Sequence, residues 1–424
     1  MRACGTTLGL CLLGSLACDP EMAPPVPPPG ADTIHIGLLG PLSGPAAFLG
    51  FDFEKAARLA IQEINAAGGV NGKQLELVLR DSRTAEPDGA ATSVDSVNQL
   101  ADLDVVAIVG PDASSIVVAI KDTIVARHVP LISPTATAAV IAGLDDDDLI
   151  WRTAANDDMQ GRVLGKRIRS DGHATISVIY RDDAYGNGLA RTVKQEFEAA
   201  GGTVLASVAF AESQIDDFDD EVVKLLTGGT PDVIVVVGFV LDSSGVLRAL
   251  QARAPVPRPV LYGVDGNHDL GLLRNAPPAM LVGMRFTVPV SRGDHNYDAF
   301  RAAYLGVLGE DPYRVEFTYD AVYLVALALL QAGENSPEAV RTHLRDVSRP
   351  DSATPVIVGV GSDEFGKAAA HASADLDFQG ASGLIDFDDA GDVSSATFAI
   401  EDIVQGSDVL HFEEIDRVQV SAAP

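Results

Sequence analysis

Residue types able to do chemistry are plentiful in this chain, but few are spaced to do it together. The eight histidines are scattered, none within three to five residues of another, so no zinc site is read from them. Acidic runs at 145–148 and 216–221 lack the spaced oxygen ligands and central glycine of a calcium loop and read as solvated loops. No Gly-x-Ser-x-Gly elbow occurs, and a serine or aspartate nucleophile needs a base beside it, for which His128 and His268 are the nearest candidates by type. The stretch Gly40–Gly50, GPLSGPAAFLG, has no Lys followed by Ser or Thr and the wrong glycine spacing for a dinucleotide fingerprint. What remains there is a tight turn at a helix start, whose free backbone N–H groups suit an anion. No catalytic residue, resident metal or cofactor is expected, and a hydrolase is the least favoured reading.

The elements that would position such a turn follow from periodicity. From Thr33 onward short β-branched runs alternate with longer amphipathic stretches, the pattern of β-α-β units around parallel sheets. Ile34–Leu39 reads as the first strand. The next stretch, Phe51–Ala67, sets Ala56, Leu59, Ala60, Ile64 and Ala67 at helical spacing before Gly68 and Gly69 end it. Further strands are predicted over 75–80, 105–109, 131–132, 176–180, 204–209, 233–237 and 260–262. Parallel sheets hold ligands at the carboxyl ends of their strands, so the loops after Leu39, Val109, Ile132, Tyr180, Val237 and Tyr262 are where a site is expected.

Bulk properties agree with two such bodies. A chain of 424 residues suits two lobes of roughly 150 to 200 residues. Its 60 acidic against 30 basic side chains, a formal charge of −30, repel phosphate backbones and anionic headgroups, which excludes nucleic acid as a partner. All three cysteines, Cys4, Cys11 and Cys18, lie at the extreme amino terminus, so the body folds without disulfides. Residues 1–17, with Arg2, a short apolar run and Ala17, read as a secretory signal too short to span a bilayer. Cys18 after Ala17 resembles a bacterial lipobox whose thiol is acylated, although Ser15 stands where that pattern prefers Leu. Ordinary cleavage near Ala17 is the alternative. Residues 18–32 include APPVPPPG, a proline-rich spacer between a membrane anchor and the body. No later stretch offers eighteen uninterrupted apolar residues.

Five segments in order, GPLSGPAAFLG (40–50), AIQEINAAGGVNGKQLEL (60–77), IVGPDASS (108–115), LISPTAT (131–137) and DDAYGNGLARTVKQEFEAAGG (182–202), resemble the leucine/isoleucine/valine-binding family of type I periplasmic binding proteins. The resemblance covers about 34–403 and implies an α/β fold of two Rossmann-like lobes with parallel sheets joined by three crossovers. It places lobe one at 33–151 plus 284–383 and lobe two at 152–283 plus 384–424. It further implies a monomeric, periplasmic or otherwise extracytoplasmic protein that hands a small ligand, an amino acid or similar, to the permease and ATPase subunits of an ABC importer. A sensory protein reporting to a partner is the alternative.

Carried over residue by residue, Ser114 and Thr137 match hydroxyls that hold the ligand carboxylate, and Thr135 matches a position whose backbone contributes. Asp265 matches the acid that accepts from the ammonium, and Tyr185 the aromatic that closes over the ligand. Taken singly, each also fits a structural role: Ser114 and Thr137 as helix caps, Asp265 before Gly266 as a turn residue, Tyr185 as packing. The side-chain pocket departs from branched-chain binders at Leu49, Asp112 and Ala113, and Phe239 and Val240 stand near a second family tyrosine. An acid at 112 facing the cleft would favour a polar or cationic ligand side chain. Facing solvent or capping the following helix, it would say nothing.

Overall fold

The computed structural model describes residues 32–44, 46–84, 86–407 and 409–422. The signal, Cys18 and most of the proline-rich linker lie outside them. Fourteen strands occur among the described residues. The first five are β1 (Thr33–Gly40), β2 (Gln74–Asp81), β3 (Ile108–Val109), β4 (Leu131–Ser133) and β5 (Ile150–Arg152). They form an all-parallel sheet in the order β2-β1-β3-β4-β5. Next come β6 (Thr175–Arg181), β7 (Thr203–Phe210), β8 (Val233–Val237), β9 (Val260–Gly263) and β10 (Arg285–Val290). A small parallel pair, β11 (Val356–Val358) and β12 (Leu376–Phe378), precedes β13 (Ser395–Gln405) and β14 (Leu410–Ser421). The second sheet runs β14-β13-β10-β9-β8-β6-β7, parallel from β10 to β7, with β13 and β14 added antiparallel.

Hydrophobic patterning explains both layers. β8, VIVVV, is fully buried because helices cover both faces of its sheet. The first helix, Ala47–Ala66, begins four residues before its predicted start, and of its predicted face Ala56, Leu59, Ala60 and Ile64 are buried. Residues 316–330 of the helix Glu316–Ala332 are all buried, which makes it the central pillar of the first lobe.

One boundary differs from expectation. The resemblance implies a return to lobe one at 284, yet β10 belongs to the second sheet, paired with β9 and β13, and Phe286 and Val288 pack in that lobe's core. The chain returns only after Val290, where helix His295–Leu308 packs against the first helix. Three crossings therefore join the sheets, at 153–156, 291–294 and 379–394.

Candidate functional site

The carboxyl ends of β1, β3 and β4 meet on one side of the cleft. Gly110, at the end of β3, has φ +104°, and a Cβ there would lie 1.9 Å from the Leu39 carbonyl oxygen, so only glycine lets the loop of Asp112, Ala113 and Ser114 sit this close to β1. Ser133 knits the next loop to it, donating to the Pro111 carbonyl at 2.6 Å and accepting from the Ala136 N–H at 3.0 Å. The Thr135 hydroxyl donates to the Asp112 carbonyl at 3.0 Å.

Ser114 and Thr137 are both buried. Ser114 does not cap its own helix: its Oγ accepts from the Ala138 N–H at 3.1 Å, leaving its proton to donate elsewhere. The Thr137 carbonyl accepts from the Asp157 N–H at 2.8 Å. Leu49, at the start of the first helix, is partly exposed, whereas Ala113 is buried. Asp112 is partly buried and is not the cap of the helix Ser114–Arg127, whose cap residue is Ala113. Its Oδ1 accepts from the Thr84 hydroxyl at 2.7 Å and, at the edge of range, from Ser82 at 3.5 Å. Burial raises its carboxyl to about 6 against these hydrogen bonds.

The second lobe brings Tyr185 and Asp265 together. The Tyr185 hydroxyl donates to Asp265 Oδ1 at 2.7 Å and accepts from the Gly266 N–H at 3.2 Å. Phe239 stacks on Tyr185 with ring centroids 5.5 Å apart, and the Arg181 guanidinium lies over the Phe239 ring at 5.1 Å. Asn267 fixes the Asp265 turn, accepting from the Val264 N–H at 2.9 Å and donating to the Val236 carbonyl at 2.9 Å. From the first lobe Arg314 reaches across, donating to the Asp265 carbonyl at 3.0 Å with its other terminal nitrogen 3.8 Å from the carboxylate. Beside it the Tyr313 hydroxyl donates to the His268 carbonyl at 2.7 Å. Both ring nitrogens of His268 are engaged, Nε2 with Glu401 at 2.8 Å and Nδ1 with the Tyr313 hydroxyl at 3.1 Å, and the ring packs on Phe412.

A second acid escaped the sequence reading. Asp157 is fully buried at the start of the helix Asp157–Ser170, and among the described residues neither carboxyl oxygen has a well-formed hydrogen bond, although the Thr137 hydroxyl lies close by. Burial drives its carboxyl well above the usual carboxylate range, nearby Asp265 pushes the same way, and the Thr137 hydroxyl and Arg152 oppose. Both acids also raise Tyr185, after burial, which keeps the phenol protonated. In sequence, Asn156-Asp157-Asp158 looks like an ordinary helix start: Asn156 does cap, accepting from Met159 N–H at 3.2 Å, and acids suit a first turn. Only the fold shows that Asp157 points away from water.

Behind the site, Arg152 is completely buried and paired through two nitrogens with Asp392 of the third crossing. Its remaining terminal nitrogen donates to the carbonyls of Ala136 and Ala138, at 3.3 and 2.8 Å, which flank Thr137. Among the described residues no group of three or more His, Cys, Asp or Glu is placed to hold a metal, and no helix is long and apolar enough to cross a membrane.

The chain as a whole is similar to known proteins. A profile described as "Periplasmic binding protein" fits residues 33–379. The chain belongs to the periplasmic binding protein family. A Leu-, Ile-, Val-, Thr- and Ala-binding protein of Pseudomonas aeruginosa is 33% identical over 74% of this chain and 83% of its own. BasB of Halobacterium salinarum, the substrate-binding protein of a chemotactic signal transduction system, is 29% identical over 83% of each chain. In fold, the leucine-binding protein LivK of Thermotoga maritima superposes with a TM-score of 0.74 over 92% of this chain and 99% of its own, at 20% identity. The two-lobed type I fold is thereby established, and the relatives named here are binding proteins.

Proposed function

We propose that this periplasmic binding protein captures an amino acid between its lobes as the extracytoplasmic, lipid-anchored component of an ABC importer, and catalyses nothing. The observation that carries the reading is Asp157: a buried carboxyl with no cation paired to it among the described residues, near Asp265 and beside the Thr137 hydroxyl. An ammonium supplies the positive charge that Asp157 lacks and adds to the partners Asp265 already has. The carboxylate of the same ligand takes the Ser114 and Thr137 hydroxyls and the N–H groups at the start of the helix Ser114–Arg127. A zwitterion in a dry cleft left unpaired at either end would lose several kcal/mol, so recognition at both ends is required for binding. Tyr185 and Phe239 close over the bound molecule, the Thr135 backbone contributes, and Leu49, Ala113 and Asp112 line its side-chain end.

A thermal-shift screen of the standard amino acids tests this: the ligand raises Tm in proportion to the logarithm of its concentration over Kd. Asp265→Ala abolishes that rise. A best ligand without an amine, or undiminished binding by Asp265→Ala, refutes the scheme. The Halobacterium relative favours a second reading, delivery of the same ligand to a chemotaxis transducer. Genes for a permease and ATPase beside this one support import, and a transducer gene supports sensing.

A further inference from the structure

Resting on the amino-acid reading just given, we infer that the ligand carries a second cation on its side chain, of the lysine, ornithine or arginine class, and that Asp112 is the residue that selects it. Position matters first. Asp112 follows β3 in the same loop as Ser114, two residues from the hydroxyl assigned to the ligand carboxylate, and its carbonyl is tied by Thr135 to the loop of Thr137. It therefore belongs to the wall that meets the ligand beyond its α-carbon.

Orientation is fixed next. Thr84 and Ser82, from the loop after β2, both bond Oδ1, and the backbone N–H groups of Asp112 and Ala113 also favour the charged carboxyl, so it cannot swing; among the described residues no side-chain donor reaches Oδ2. Of the two roles open to this residue from sequence, capping is excluded by the geometry of the helix start, and free solvation is at odds with its partial burial against Ser82, Thr84 and Thr135.

Charge decides the class. Among the described residues Asp112 enters no ion pair, whereas the cations nearest the site are committed: Arg314 lies against Asp265, Arg152 is locked to Asp392, and Arg83 of the neighbouring loop pairs with Asp88 at 3.2 Å. An aliphatic side chain would desolvate this carboxylate and give nothing back. A neutral amide would offer a hydrogen bond and leave the charge. An ammonium or guanidinium supplies both, and with the α-ammonium on Asp157 and Asp265 a dicationic ligand meets acid at each end. Arginine's planar fork and lysine's point charge differ in how they would use Oδ2, and that difference separates them in affinity.

Isothermal titration of the full mature protein, freed of bound ligand by unfolding and refolding, with L-lysine, L-arginine and L-leucine decides the matter. The wild type is expected to bind lysine or arginine at least about 100-fold more tightly than leucine, the scale of a charge pair shielded from water. Asp112→Asn loses most of that preference through weakened lysine and arginine binding, and Asp112→Leu reverses the order. Thermal melting of both variants verifies that they fold. Leucine binding as tight as lysine and arginine in the wild type, or lysine affinity undiminished in Asp112→Asn, overturns the inference. If no standard amino acid gives heat with the wild type, the amino-acid reading itself falls, a result distinct from binding with the wrong preference.

Discussion

At the scale of single residues, Asp157 and Asp265 divide one task. Asp265 is already engaged by Tyr185 and Arg314, so it is positioned; Asp157 has no well-formed hydrogen bond among the described residues, so it is poised. With its carboxyl raised well above the ordinary range by burial, Asp157 holds a proton in the unliganded protein to higher pH than an exposed aspartate would. An ammonium beside it stabilises the carboxylate and expels that proton. Binding should therefore release a proton, and affinity should rise with pH until the unliganded carboxyl ionises by itself. Titration calorimetry in two buffers of different ionisation enthalpy measures this as a buffer-dependent heat; equal heats in both would refute it. In Asp157→Asn the release disappears and, with one of two acids left to face the ammonium, Kd rises by about 100-fold, as expected for removing one partner of a buried charge.

At the scale of elements, the third crossing and β5 act as one unit. Gly391 has φ +74°, and a Cβ on it would lie 2.7 Å from the Ile150 carbonyl oxygen and 3.4 Å from the Trp151 backbone, while its own carbonyl accepts from the Arg152 N–H at 2.9 Å. Gly391→Ala is thus expected to cost at least about 1–2 kcal/mol from backbone conformation alone, seen as a lowered midpoint in urea. Arg152→Met leaves Asp392 buried beside Asn156 alone and should cost about 3–5 kcal/mol, and because Arg152 also holds both carbonyls around Thr137, the folded fraction should bind ligand more weakly. None of this was legible in the sequence. Arg152 follows an apolar pair like any residue at a strand end, and its partner lies 240 positions away. What was legible was local: β1, β2, β6, β7, β8 and β9 announce themselves by β-branched runs, and the loops that follow them are where the site forms. Strands of two or three residues such as β5 and β12 have too few positions to show a period. β10 reads as apolar, but its place in the second sheet is decided by pairing with β13, more than 100 residues later. The same limit hid Asp157, whose helix-start signature is genuine and silent about which way its side chain points.

At the scale of the whole molecule, a formal charge of −30 is carried by a body that buries several acids, and the two facts act together on stability. Asp112 and Asp242 are raised to about 6 and Asp320 to about 7, each chiefly by burial, and Glu316 and Asp157 are raised as well. Unfolded, such groups lose their protons near pH 4; folded, they keep them longer. The native state therefore binds more protons between about pH 4 and 7, and stability must fall as pH rises through that window. Asp171 and Glu364 run the other way: their depressed carboxyls, paired with Arg285 and Lys367, add stability that is lost as pH drops below about 4. The unliganded protein should accordingly melt highest near pH 5 and several degrees lower at pH 8. Self-repulsion of the surface charge also grows over this range, but salt separates the two causes: about 0.5 M NaCl screens exposed charges and leaves the desolvation of buried ones in place. Differential scanning calorimetry at both pH values, with and without salt, is expected to show a difference that salt narrows without removing. A Tm that climbs from pH 5 to pH 8, or a difference that salt erases, would mean the buried acids do not govern stability. Ligand supplies the final contrast, because an ammonium on Asp157 removes one of the groups that ionisation penalises, so saturating ligand should raise Tm more at pH 8 than at pH 5.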